Sequence, residues 1–406
     1  MRRLTAIWPL AMVIGACSAC GITRADALAD RLAPHVGETL DLVEIGSGRR
    51  LVRPTLEQVV AKNGTVTALR LRPEGETRAT SFPVAGIARI VAGRETIHEA
   101  EVKQRGASQL KTRRAKEAYD RAAAASRERM EANGVQPWPP LTAEQHAAEE
   151  RELEAYVAEV QKLFPRLKLT RTHEFLVATD IPPDQMAPYV AGLDRMHDVL
   201  CDLYGIPRGE SVWRGKCLVI AFLDEADFCA YEQRFQDLDA KGVHGLCHQR
   251  SDGRVITACH RGGDAPAFAH MLVHETSHGF NHRWLSPERL PSWLNEGLAE
   301  WVGATVVTTS DQVPLKEAAA LQLMRSRGDL GPQFFDRHPL DTVQYGIASG
   351  LVRFLVKRDP GKFTAFVRGI KEGMPAGTSL EKAYGGSLDE LVKAYGASIG
   401  IPTLHP

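Results

Sequence analysis

The sequence predicts an α+β protein in which a small β-rich module and a helical linker region precede a larger domain of strands and helices. Three observations carry this prediction. Residues 36 to 97 contain alternating apolar and polar runs cut by turn residues. Residues 98 to 165 are charged, alanine-rich and marked by helix start and stop signals. From residue 166 onward, short apolar runs of strand length exchange with longer amphipathic segments, and helices dominate the end of the chain. The boundaries that follow are 1–29 for an export signal, 30–97 for the β module, 98–165 for the helical region and 166–400 for the main domain.

Met1-Arg2-Arg3 followed by the apolar stretch Thr5 to Ala16 reads as a bacterial-type secretory signal, too short to span a bilayer. Two exits stay open. Ile14-Gly15-Ala16-Cys17 resembles a lipoprotein box with Cys17 as the lipid anchor, and Ala25-Asp26-Ala27 suits ordinary signal peptidase. The expected location is therefore outside the cytoplasm: periplasmic, secreted or anchored in a bacterial envelope. The chain of 406 residues has 50 Lys and Arg against 50 Asp and Glu, so no net field draws it to nucleic acid.

In the β module, Thr65 to Arg72 alternates, with Thr67, Leu69 and Leu71 expected on one face. Asn63-Gly64 before it and Pro73-Glu74-Gly75 after it punctuate as turns. A helix is expected to close at Asn133-Gly134, a proline-rich linker to run over 135–140, and a new helix to start at the capping box Thr142/Gln145 and stop at Phe164-Pro165.

In the main domain, Glu174 to Thr179 and Cys217 to Leu223 read as strands, Met186 to Tyr204 as an amphipathic helix, and residues 243 to 259 as a hairpin turning at Ser251-Asp252-Gly253. Five cysteines remain after the signal, an odd number. Cys247 and Cys259 lie symmetrically about Gly253, so they are placed either as a facing pair or as buried free thiols.

The chemistry sits in two segments. His274-Glu275-Thr276-Ser277-His278 puts two imidazoles at i and i+4, on one face of a helix, where both can grip one metal ion. Asp264 and Pro266 mark the start of that helix. Eighteen residues beyond His278 comes Glu296, inside Trp293-Leu294-Asn295-Glu296-Gly297-Leu298-Ala299-Glu300, with Pro291-Ser292 as a start signal. Glu296 and Glu300 are again i and i+4 and share a face. His270 and His282 continue the four-residue repeat, but each step drifts around the helix and climbs about 6 Å. They are read as polar neighbours or helix-end residues rather than ligands, with either one free to hydrogen-bond behind the ligands.

The two segments together resemble the gluzincin class of zinc metallopeptidases, which includes thermolysin and the aminopeptidases that carry Trp-Leu-Asn-Glu-Gly. The likeness spans residues 170–398, with specific motifs only between 270 and 302, and its tail is similar to peptidase MA-like bacterial domains. It implies a mixed sheet with a helical lobe. It implies one zinc ion held by His274, His278 and Glu296, with a fourth position for water, and Glu275 as general base. Glu300 takes the place of an acid that orients a ligand histidine. Tyr345, opening an apolar helix, takes the place of the tyrosine that stabilises the oxyanion; a packing tyrosine is the equal alternative, and His338 is the next candidate. The hairpin takes the place of the strand edge on which a peptide or protein substrate lies, although nothing in the sequence distinguishes it from an ordinary hairpin.

Trp284 stands where a metzincin carries its third histidine, which excludes that class. The Gly-Ala/Met-Glu-Asn exopeptidase signature is absent, so the likeness does not extend to aminopeptidase action. The function expected is an exported zinc metallopeptidase. The alternative is a catalytically inactive binding or envelope-assembly protein that keeps the zinc fold.

Overall fold

The structure, a computed structural model, describes residues 24–406 apart from 46–49, 63–64, 85–86, 94, 100–101, 208–209 and 337–338. The apolar N-terminal stretch, Cys17, the Asn63-Gly64 turn and His338 lie outside the described residues. The architecture is mixed α+β, with several small sheets and many helices. The chain divides into two compact units, Met1–Lys111 and Thr112–Pro406.

Among the described residues, the first unit opens with α1 (Arg24–Leu32) and holds seven strands: β1 (Leu42–Ile45), β2 (Arg50–Val52), β3 (Thr55–Lys62), β4 (Thr65–Arg72), β5 (Thr80–Pro83), β6 (Ile87–Ala92) and β7 (Glu95–Glu99). They form a sheet of order β2-β1-β6-β7 and another of order β3-β4-β5. Leu28 and Leu32 of α1 join Val43, Leu56, Leu69 and Leu71 in its buried core.

Thr67 does not share the buried face of Leu69 and Leu71 as the alternation predicts. Val60 pairs with Ala68 and Ala61 with Val66, so Thr67 is the extra residue of a β-bulge. It turns outward, its hydroxyl donates to the Val60 carbonyl at 3.2 Å, and Val66 takes the buried place.

Helix α2 (Val102–Ala132) crosses into the second unit and closes at Gly134, whose φ of +71° suits a residue without a Cβ. Ser126 and Arg129 both bind the buried Glu372 carboxylate. Helix α3 (Ala143–Leu163) starts at the predicted Thr142/Gln145 capping box. A five-stranded sheet follows from β8 (Lys168–Arg171), β9 (Phe175–Thr179), β10 (Cys217–Phe222), β11 (Gly245–Gln249) and β12 (Val255–His260), in the order β11-β12-β10-β9-β8. β9, β10 and β12 run parallel; β8 and β11 are antiparallel edges.

Alternate residues of the central strands feed two cores, as expected for a sheet covered on both faces. Phe175, Val177, Val219 and Cys259 pack with α4 (Pro183–Tyr204) and α6 (Ala265–Arg283). Leu176, Ala178, Leu218 and Ile220 pack with α3 and α5 (Glu225–Tyr231). The helical remainder comprises α7 (Ser292–Val306), α8 (Gln312–Arg327), α9 (Thr342–Arg358), α10 (Pro360–Lys371), α11 (Ala376–Tyr384) and α12 (Leu388–Ser398). No described helix is long and apolar enough to cross a membrane.

The hairpin forms, but its register is centred on residue 252 rather than on Gly253. Cys259 therefore pairs with Gly245, and Cys247 with Thr257. The two cysteines are not directly opposite, and all five described cysteines are free thiols.

Candidate metal centre

The site is built where two helices cross. Helix α6 begins at Asp264, whose carboxylate accepts the Ala267 N–H at 3.0 Å, with Pro266 in the first turn. It ends at Trp284, buried and stacked on Tyr204 with ring centroids 3.8 Å apart. The loop to α7 is tied down from α10: Ser286 Oγ donates to the Lys371 carbonyl, and Lys371 Nζ donates to the Glu288 carbonyl at 2.6 Å. The contacts 278 to 296, 274 to 296 and 300, and 270 to 300 step in opposite directions, so α6 and α7 meet antiparallel.

At the crossing, three ligand atoms converge. His274 Nε2 and His278 Nε2 are 3.2 Å apart, and Glu296 Oε2 lies 3.3 Å from each. Tetrahedral coordination at about 2.0–2.1 Å places ligand atoms about 3.3–3.4 Å apart, so the triangle has the edge length such an ion requires. His278 Nδ1 is buried without a hydrogen-bond partner. Burial by itself disfavours charge on His278, but hydrogen bonding and charge from Glu296, with Glu275 behind it, push its pKa up to about 9. Burial also opposes ionisation of Glu296, and the two histidines reverse this, holding its carboxyl below the usual range. His274, His278 and Glu296 form a cluster capable of holding a metal ion.

A second trio, His270, His274 and Glu300, also draws close. Here the contacts use different carboxylate oxygens: His270 Nε2 is 3.3 Å from Oε2, and His274 Nδ1 is 3.5 Å from Oε1. Lys316 Nζ, from α8, donates to that same Oε1 at 2.6 Å. An ion placed there would face an ammonium, so this trio is fitted to orient His274 rather than to hold a second metal. Burial raises the Glu300 carboxyl, and His270, His274 and Lys316 overcome that and hold it well below the usual range. The His270 ring lies against the backbone of α7 at Gly303, where any Cβ would collide with it.

Glu275 follows His274 and lines a cavity of about 530 Å³ with His274, Glu300 and Tyr345. Burial raises its carboxyl pKa, and the adjacent histidines only partly oppose this. Tyr345 stacks at 6.2 Å from the His274 ring, under Lys316 Nζ at 5.4 Å from its own ring centre. Burial first, then the charges of Glu296 and Glu275, raise its phenol pKa. On the other side of the cluster, a cavity of about 480 Å³ is lined by His278, Glu296, Asn281 and His248. β11, with one edge unpaired in the sheet, contributes Cys247, His248 and Gln249 to this wall.

All the predicted site residues that are described come to one place: His274, His278, Glu296, Glu275, Glu300 and Tyr345. His282 stays apart, its Nε2 3.3 Å from the Arg250 carbonyl and its ring against Trp138. Sequence reasoning missed Lys316, and it missed Arg261, which lines the same cavity as Glu275. His270 it placed as a polar neighbour free to hydrogen-bond behind the ligands, and His270 Nε2 lies 3.3 Å from Glu300 Oε2.

No family model matches the chain, and no curated protein matches it. The His-x3-His helix with glutamates from the next helix is consistent with a zinc-binding site of the gluzincin type. What the site defines is a metalloenzyme-like centre in an α+β fold.

Proposed function

We propose that this protein is an exported, gluzincin-like zinc metallopeptidase that hydrolyses peptide bonds of a polypeptide substrate with one bound zinc ion. The observation that carries the reading is the triangle of His274, His278 and Glu296, with edges of 3.2, 3.3 and 3.3 Å, beside the half-buried Glu275 on an open cavity. Zinc, when bound, supplies a Lewis acid and lowers the pKa of water towards ~7.

The remaining chemistry belongs to the chain. Glu275 takes a proton on its carboxylate from the attacking water and returns it to the leaving amine. Its raised pKa brings it closer to the operating pH, which suits both halves of that task. Tyr345 keeps its O–H at neutral pH and donates it to the oxyanion as charge develops. Glu300 holds the His274 ring in one orientation. β11 offers unpaired backbone groups along the cleft, to which an extended peptide adds as a further strand.

The test compares wild type with Glu275→Gln. Both are expected to hold about one zinc per chain, and only the wild type is expected to cleave a broad peptide library, with kcat in the variant at least about a hundredfold lower. Zinc-loaded wild type that cleaves nothing in the library would overturn the peptidase reading in favour of a zinc-holding binding protein.

A further inference from the structure

Arg261 sits at the end of β12, in the loop that turns into α6, and lines the same cavity as His274 and Glu275. It is half-buried, and its Nε is buried with no hydrogen-bond partner. Among the described residues its guanidinium makes no ion pair. The other charges of the cavity are already committed. Lys316 is bound to Glu300 at 2.6 Å, and the charge of Glu275 is answered by His274 and His278. Asp264, the nearest acid in sequence, caps α6 through the Ala267 N–H. His260 is turned to the Val243 carbonyl at 3.2 Å, and burial lowers its pKa, so it adds no standing charge. One cation is thus left over in a concave site.

A buried donor without a partner is costly, and a guanidinium presents a fork that matches a carboxylate bidentately. The cavity lies at the carboxyl end of a parallel strand, the position at which open α/β sheets bind ligands.

We propose that Arg261 makes this cavity a carboxylate-binding subsite, so that the substrate carries a carboxylate on that side of the reacting bond. The inference rests on the peptidase reading for the identity of the substrate. The carboxylate has two sources, an acidic side chain or the free C-terminus of a peptide. The first makes the subsite a determinant of sequence preference within a chain, and the second a determinant of cleavage near a chain end.

Binding tests this without turnover. Zinc-loaded full-length protein with Glu275→Gln is titrated against three fluorescent peptides: a terminally blocked peptide with a central Glu, its Gln counterpart, and the Gln peptide with a free C-terminus. The expected result is that one carboxylate peptide binds on the order of tenfold to a hundredfold more tightly than the neutral one. Adding Arg261→Gln removes the advantage, and Arg261→Lys restores part of it. Which carboxylate peptide wins identifies the source. Equal affinities, no binding of any peptide, or a preference that survives Arg261→Gln overturns the proposal. A carboxylate preference without cleavage by the wild type leaves the subsite standing and removes the peptidase reading. Cleavage without a preference does the reverse.

Discussion

Lys316 Nζ lies 2.6 Å from Glu300 Oε1, the same oxygen that stands 3.5 Å from His274 Nδ1. Glu300 is almost fully buried, and a buried carboxylate persists only when its charge is answered. Lys316 answers it from α8 and so keeps Glu300 available to the histidine. Glu300→Gln and Lys316→Met are each expected to weaken zinc binding about tenfold to a hundredfold, the range seen when the outer partners of metal ligands are lost. Chelator competition measures this directly, and zinc affinity unchanged in both variants would remove the orienting role.

Gly297, next to Glu296, is a packing requirement. A Cβ there would collide with the backbone carbonyl of Ala348 on α9. Backbone within a helix cannot step aside as a flexible side chain can, so Gly297→Ala must move α7 or α9. We expect a loss of about 1–3 kcal/mol in denaturant unfolding, with weaker zinc retention because Glu296 moves along with α7. A variant as stable as wild type would show that α7 and α9 separate without cost.

The parts of the site that were legible in the sequence are those set by local geometry. The i, i+4 spacing of His274 and His278, and of Glu296 and Glu300, needs only a helix. The Asp264 cap and the Thr142/Gln145 box mark helix starts through bonds made within a few residues. Lys316 was not legible, because α8 carries no pattern pointing to a site and buries only Val313, Ala320 and Met324. Its meeting with Glu300 is a fact of tertiary packing. Arg261 was hidden for another reason: an arginine in a loop reads as solvated until its neighbours are seen to be otherwise engaged. The hairpin at 245–260 was legible as an element but not in register, since the turn alone did not reveal where its centre fell.

Export with lipidation at Cys17 preserves more of the fold than cleavage after Ala27. Helix α1 spans Arg24–Leu32, and its Leu28 and Leu32 belong to the core of the β unit. Cleavage after Ala27 would cut α1 and leave Leu28 as a charged chain end in an apolar core. A mature chain that begins at Cys17 keeps α1 whole. Expressed in a bacterium that processes lipoproteins, the protein is expected to begin at a lipid-modified Cys17, and Cys17→Ala is expected to abolish the modification. Mass spectrometry of the mature N-terminus decides; a chain starting at Leu28 would refute the prediction.

Lys371 makes stability depend on pH in a defined window. It is 1% exposed, and burial lowers its pKa to about 7, a shift that Glu288 only partly opposes. In the unfolded chain a lysine titrates near 10.4. Between about 7 and 10 the unfolded state therefore binds a proton that the folded state lacks, and the contribution of this group to stability rises with pH. Below about 7 both states carry the proton, and the contribution is flat at its least favourable value. Lys371→Met removes that slope, though it leaves the Glu288 carbonyl without its donor. The measurement is the unfolding free energy of zinc-loaded wild type and Lys371→Met at about pH 6, 8 and 9.5. The difference between them should shift in favour of wild type from the second value to the third. A constant difference would mean that Lys371 keeps its proton inside the fold.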